Sequence, residues 1–153
     1  MKIWIDADGC PVVNITIALA KRYGVPVTLV CDTAHEFSRE GAETYVVSKG
    51  ADSADFALIS RLSAGDIVVT QDYGLAAMCL VRQAYVIRQD GLIYTNDNIE
   101  GLLQQRYTSK KIRQSGGRLK GPPKREKAAD EAFTQSLQEL LETFSEKISS
   151  TGK

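Results

Sequence analysis

The sequence predicts an α/β fold: a three-layer α/β/α sandwich with a mainly parallel central sheet and an added C-terminal amphipathic helix. Three observations predict it. Short runs of aliphatic and β-branched residues alternate along the chain with longer stretches whose apolar residues recur at helical spacing, and no unit repeats. The run Asp66-Ile67-Val68-Val69-Thr70 is too short for a helix and apolar at successive positions, as a strand buried on both faces must be. Strand after strand also stops at or just before an aspartate. In open parallel sheets the carboxyl edge is where ligands bind, so those acids stand where chemistry is done.

Taken in order, Lys2 to Asp6 reads as the first strand, with Asp8 two positions beyond its terminal acid. Gly9-Cys10-Pro11 opens a helix, because proline's missing N–H costs nothing in the first turn. Val12, Val13, Ile15, Leu19 and Tyr23 form its apolar face, and Gly24 stops it. Pro26 to Cys31 is the second strand, and Thr33 to Glu43 an irregular connection holding His35, Glu36 and Arg39. Thr44 to Val47 is the third strand. Ser48 to Asp55 then leads into a helix in which Phe56, Leu58, Ile59 and Leu62 are expected to face the sheet. The fourth strand ends at Thr70, and Asp72 precedes a helix carrying Leu75, Met78, Cys79 and Val81. For Asp72 both an N-cap role and a chemical one are open. Ala84 to Arg88 is a fifth strand with Leu92-Ile93-Tyr94 as a hairpin partner. The polar cluster Thr95 to Asn98 starts a helix through Ile99, Leu102, Leu103 and Tyr107 that turns basic towards Arg113.

A chain of 153 residues, 43% of them apolar, suits one compact domain with an appendage. The domain is expected over 1–114 and a basic Gly/Pro linker over 115–127. A helix over 128–148 carries Phe133, Leu137, Leu140, Leu141, Phe144 and Ile148, and a disordered tail over 149–153 follows. The helical stripe is expected to pack on the body, with a homodimer contact as the other use of such a surface. Cys10, Cys31 and Cys79 are scattered without a C-x-x-C pairing, and His35 is the one histidine, so neither structural zinc nor a disulfide framework is expected. No apolar run could span a bilayer and no signal core follows the amino terminus, so a cytoplasmic protein is expected. The formal charge of zero conceals a division. Residues 1–105 carry 8 basic and 13 acidic groups, residues 106–127 carry 9 and 1, and residues 128–153 carry 2 and 5. A basic block therefore follows an acidic domain.

Asp6 and Asp8, Asp52 and Asp55, and Asp72 lie at three strand ends that a parallel sheet would bring to one edge. Carboxylates gathered there repel, and burying them unpaired costs several kcal/mol, of the order of about 3 or more. A divalent cation resolves the conflict. Hard oxygen donors without histidine or cysteine favour Mg²⁺ or Mn²⁺, which keep waters and open positions for a phosphate. That constellation suits hydrolysis of a phosphodiester. Thr70 could orient a ligand or water, and Lys49 could meet a substrate phosphate. Cys10 at a helix start is read as a packed cysteine, since no base stands near it in the sequence.

The segments Asp6-Ala7-Asp8-Gly9-Cys10-Pro11, Gly50-Ala51-Asp52-Ser53-Ala54-Asp55 and Asp66 through Ala76 resemble the motifs of the YaiI/YqxD family of uncharacterised bacterial proteins. Asn98-Ile99, Arg106, Arg113, Gly121-Pro122 and Asp130 through Phe133 to Leu137 extend that resemblance over nearly the whole chain. The family is similar in turn to PIN-like and NYN-type nucleases, whose metal-binding acids follow strand one, enter a central helix and follow strand four. The resemblance implies a PIN-like domain with Asp6, Asp8, Asp52, Asp55 and Asp72 as metal ligands and Asp6, Asp55 and Asp72 in catalysis. Asp6 is favoured over Asp8 as principal ligand because it terminates the strand directly. Asp52 and Asp55 lie one helical turn apart, so one can be ligand and the other cap.

The expectation is a Mg²⁺- or Mn²⁺-dependent nuclease acting on RNA. Lys49, Thr70, Arg106, Lys110, Lys111, Arg113 and Arg118 are its candidate substrate contacts, since neutralising phosphates is what gives nucleic-acid binding its affinity. A solvated helix end is the plain alternative for the basic block. Tyr107 is the one aromatic residue there, so sequence-specific readout is not expected. Two other functions compete: a haloacid-dehalogenase-like phosphatase with Asp6 as nucleophile, and a PIN-like module that binds RNA or protein without catalysis.

Overall fold

A computed structural model describes residues 1–32, 38–47, 53–104 and 127–151. Six strands form one sheet: β1 (Ile3–Asp6), β2 (Val27–Asp32), β3 (Glu43–Val47), β4 (Ile67–Val69), β5 (Tyr85–Ile87) and β6 (Ile93–Tyr94). Five helices accompany them among the described residues: α1 (Val13–Tyr23), α2 (Ser53–Arg61), α3 (Tyr73–Val81), α4 over 96–104, and α5 (Lys127–Thr151). The strand order is β3-β2-β1-β4-β5-β6, parallel throughout except for β6, which returns antiparallel to β5 as a hairpin.

The alternation of side chains across the strands builds two cores. Ile3, Ile5, Leu29, Ile67, Val69 and Ile87 face α1 and α5, and Phe133, Leu137 and Leu141 of α5 are buried there. Trp4, Val30, Val68 and Val86 face the other way, against Leu58 and Leu62 of α2, Leu75 and Cys79 of α3, and Ile99 of α4. These two faces make the three layers. Phe133, Leu137 and Leu141 of the α5 stripe are thus buried within their own chain.

Several boundaries shift from the sequence expectation. Pro11 lies in the turn before α1, which begins at Val13, and Asp66 lies just before β4. Helix α5 is helical as far as Thr151, past the expected boundary at 148. Phe56 is a correction: it is 75% exposed instead of facing the sheet. Leu58 and Leu62 set the buried face of α2, and Phe56 is turned about 160° away from Leu58 by the 100° step per residue. Met78 and Val81 of α3 also point outward.

Asp66 anchors the opposite, amino-terminal edge of the sheet. Its buried carboxylate accepts from the Lys2 and Ser63 backbone N–H groups and from Trp4 Nε1, each at 3.0 Å. That explains a buried acid at the head of an apolar run: it is satisfied three times over.

Candidate functional site

Strand β1 continues through α1 to β2 on one side, whereas the crossover through α2 carries the chain back to β4 on the other side of β1. The carboxyl ends of β1 and β4 are neighbours at the point where the connections diverge, the position where open α/β sheets form a crevice. Asp6 ends β1 there, and Thr70 and Asp72 follow β4.

A hydrogen-bonded chain locks the two strand ends together. Thr70 Oγ1 donates to Asp6 Oδ2 at 2.9 Å and accepts from the Asp72 N–H at 3.0 Å. Asp72 caps α3, its Oδ1 accepting from the N–H groups of Gly74 at 2.9 Å and Leu75 at 3.2 Å. The capping reading of Asp72 therefore holds, and it fixes where that carboxylate stands. Thr70 is almost fully buried. Its hydroxyl orients Asp6 and the turn after β4. Behind it, Tyr94 Oη donates to the Thr70 carbonyl at 3.3 Å, so the β5–β6 hairpin braces the same strand end.

Asp6 is pushed up from the ordinary carboxylate range to about 6. Burial is the main cause, the Thr70 hydrogen bond opposes it, and the charges of Asp55, Asp72 and Asp8 add to the rise. The described acids of the sequence expectation are thus brought into one electrostatic neighbourhood. Asp55 enters from the first turn of α2 and Asp8 from the exposed loop after β1. Beneath them lies Cys79, whose thiol is pushed up to about 12 by burial and then by Asp55 and Asp6. It is a packed, inert neighbour of the acids. Asp52, Lys49, Arg106, Lys110, Lys111, Arg113 and Arg118 lie outside the described residues.

Sequence reasoning missed the amides of this cleft. Gln71 and Gln89 line it together with Asp6, Asp8, Cys10 and Thr70. Gln71 could have been noticed, since it separates Thr70 from Asp72; Gln89 arrives from β5 and only the sheet order brings it in. At the same edge Arg88 grips Asp90 through two bonds, Nε to Oδ1 at 2.8 Å and Nη2 to Oδ2 at 2.7 Å, and donates from Nη1 to Tyr73 Oη at 3.3 Å. The guanidinium holds the Asp90 carboxyl below its ordinary range.

A family model described as the uncharacterized YaiI/YqxD family matches residues 4–143. A UPF0178 protein of Exiguobacterium sibiricum is 55% identical over 141 residues, covering 92% of this chain and 96% of the relative. A UPF0178 protein of Clostridium acetobutylicum is 46% identical over 143 residues, covering 92% and 97%. One of Ruminiclostridium cellulolyticum is 47% identical over 146 residues, covering 95% of each chain. No solved structure matches significantly. No helix among the described residues is long and apolar enough to cross a membrane.

Proposed function

The chain belongs to the YaiI/YqxD family, and we propose that this member hydrolyses phosphodiester bonds in RNA with a divalent cation, Mg²⁺ or Mn²⁺, held at the carboxyl edge of its sheet. One observation carries the reading: Asp6 stands at the switch point of the sheet beside Asp8, Asp55 and Asp72, with its own pKa driven up to about 6. Such a cluster is costly in the ionised state, and a cation offsets that cost. The donors are all carboxylate oxygens, the set that suits a hard ion.

Among the described residues no group of three or more His, Cys, Asp or Glu side chains is arranged to hold an ion. Mg²⁺ ordinarily asks for only one or two carboxylates and keeps several waters. Asp6 with Asp8, Asp55 or Asp72 would supply those ligands, and Asp52 lies outside the described residues. When bound, the cation supplies Lewis-acid polarisation of a phosphoryl oxygen and a more acidic water. The chain's own residues set the geometry: Thr70 steadies one Asp6 oxygen, and the cap on α3 fixes Asp72. Gln71 and Gln89, each with donor and acceptor atoms, can orient water or a sugar hydroxyl. The basic block of 106–127 would hold flanking phosphates, in a PIN-like arrangement at work in the cytoplasm.

The phosphatase alternative asks Asp6 to attack as a nucleophile, and it gives no role to Asp55 and Asp72, whose charges also reach this site.

Mn²⁺ titrated calorimetrically into the protein is expected to bind saturably, and at least about tenfold more weakly to Asp6→Asn, an effect of the size that removing a charged ligand produces. Labelled RNA should be cleaved only with Mg²⁺ or Mn²⁺, and not by Asp72→Asn, which keeps an acceptor for the α3 cap. Cleavage surviving both substitutions sinks the reading. RNA binding that chelator leaves intact, without cleavage, would support a non-catalytic module.

A further inference from the structure

We propose that a cavity at the amino-terminal edge of the sheet binds a phosphate group through Lys2, Arg61 and Ser63, independently of the carboxylate site and of the activity proposed for it. The cavity has a volume of about 500 Å³ and is lined by Lys2 before β1, Trp4 in β1, Arg61 at the end of α2, and Ser63 and Asp66 on the way to β4. Along the extended strand, Lys2 is about 13 Å from Asp6. The two sites therefore stand at opposite edges of the sheet.

Aromatic rings hold both cations in place. The Lys2 ammonium lies 5.7 Å from the centre of the Trp4 ring, and the Arg61 guanidinium 4.2 Å from the centre of the Tyr45 ring, with Nη2 donating to Tyr45 Oη at 2.7 Å. Heads held in this way have less freedom to lose when a ligand arrives. Among the described residues, neither cation has a carboxylate within ion-pair distance. Arg61 stands in the last turn of α2, where a cation commonly serves the helix carbonyls, but Arg82 does that here, donating from Nη2 to the Ile59 carbonyl at 3.2 Å. Arg61 spends one N–H on Tyr45 and keeps the others.

Asp66 is the acid of the lining, and it is already engaged. Its Oδ1 accepts from the Lys2 backbone N–H, and its Oδ2 from Trp4 Nε1 and the Ser63 N–H. All three donors are neutral, so this buried carboxylate pairs with neither cationic head. Two cations thus face one carboxylate, and the groups left to bind are the Lys2 ammonium, the remaining Arg61 N–H groups and the Ser63 hydroxyl.

Such a lining fits a compact group that accepts hydrogen bonds and carries more than one charge. A phosphate monoester has close to two negative charges and three free oxygens, enough for the arginine fork, the ammonium and the hydroxyl together. A carboxylate, with one charge and two oxygens, cannot engage all three. A long polyanion fits less well. Glu43 faces the same side of the sheet, in register with Trp4 through Thr28 and about 10 Å away across two strands. A chain of phosphates extended from the cavity towards β3 meets that charge; a single phosphate does not.

Trp4 is the one tryptophan of the chain, and its indole N–H bonds to Asp66 in the lining, so its resonance reports on this cavity. The test titrates inorganic phosphate, ribose 5-phosphate and acetate into the full chain, Arg61→Gln and Lys2→Gln, with chelator present and chloride holding the ionic strength constant. The Trp4 indole and Ser63 amide resonances are followed. Phosphate should shift both saturably, at least about tenfold more weakly in either variant, as losing a charge-assisted hydrogen bond predicts, and acetate should bind more weakly by a similar factor. Both altered side chains are exposed, so urea midpoints should be unchanged. Tighter binding of ribose 5-phosphate supports the proposal and assigns the cavity to the phosphate end of a small metabolite; equal or tighter binding of inorganic phosphate supports it with the free ion as occupant. Phosphate that produces no saturable shift, shifts that neither substitution weakens, or acetate bound as tightly as phosphate would each overturn it.

Discussion

Asp6 shows how one side chain stores cost at a site. Its folded-state pKa of about 6 lies above the ordinary 3.8, so folding favours the protonated acid. The stability this contributes is present below about pH 4, falls as pH rises through 6, and stays lost above it. A rise of that size corresponds to about 3 kcal/mol, and partial exposure reduces the figure to about 2. Asp6→Asn, neutral and nearly isosteric, is therefore expected to be about 2 kcal/mol more stable than the unaltered chain at pH 8 without divalent cations. Urea midpoints should converge as the pH falls to 4. A gap that stays constant from pH 4 to pH 8 would show that Asp6 carries no such penalty. The acid was legible in the sequence because a strand ending in aspartate is a local pattern. The size of the penalty was not, because it comes first from burial in the packed edge and then from the charges of Asp55 and Asp72 on other elements and of Asp8.

Elements hold these residues through a few backbone contacts that tolerate little change. Thr95 and Asn98, in the polar cluster expected to start α4, cap it reciprocally, Thr95 Oγ1 accepting from the Asn98 N–H at 3.2 Å and Asn98 Oδ1 from the Thr95 N–H at 2.9 Å. The contact that seats α5 was not legible. Gly91, at φ +91° in the β5–β6 turn, lies so close to the helix that a Cβ there would meet the Ala132 carbonyl oxygen at 2.6 Å and its carbon at 2.8 Å. Ser136 Oγ donates to the Gly91 carbonyl at 2.8 Å and completes the seat. Gly91→Ala combines a left-handed backbone with a collision against main chain, and is expected to cost about 3 kcal/mol. Chemical denaturation measures it; a loss under about 1 kcal/mol would mean α5 can move away freely. Phe56 belongs at this scale too. Apolar type alone suggested the sheet, whereas the helix phase set by Leu58 and Leu62 turns it to solvent.

For the whole molecule, the strand order decides what meets at the carboxyl edge, and α5 decides whether the sheet is covered. Phe133, Leu137 and Leu141 complete the core on the α1 side. A chain ending at residue 126 should lose its cooperative unfolding transition and bind a hydrophobic dye, as expected when one face of a sheet is left open. A sharp transition in that shortened chain would show that α1 alone suffices. By itself the sequence determined the alternation of strands and helices, the three-layer class, the hairpin after β5 and the acids at the strand ends. Each of these is written in residues near one another along the chain, through period, turn chemistry and charge. Tertiary structure alone decided that β1 and β4 are neighbours at the switch point, that Thr70 bridges Asp6 to the Asp72 backbone, and that Gln89 joins the cleft. These depend on pairings across dozens of residues, which local periodicity does not encode.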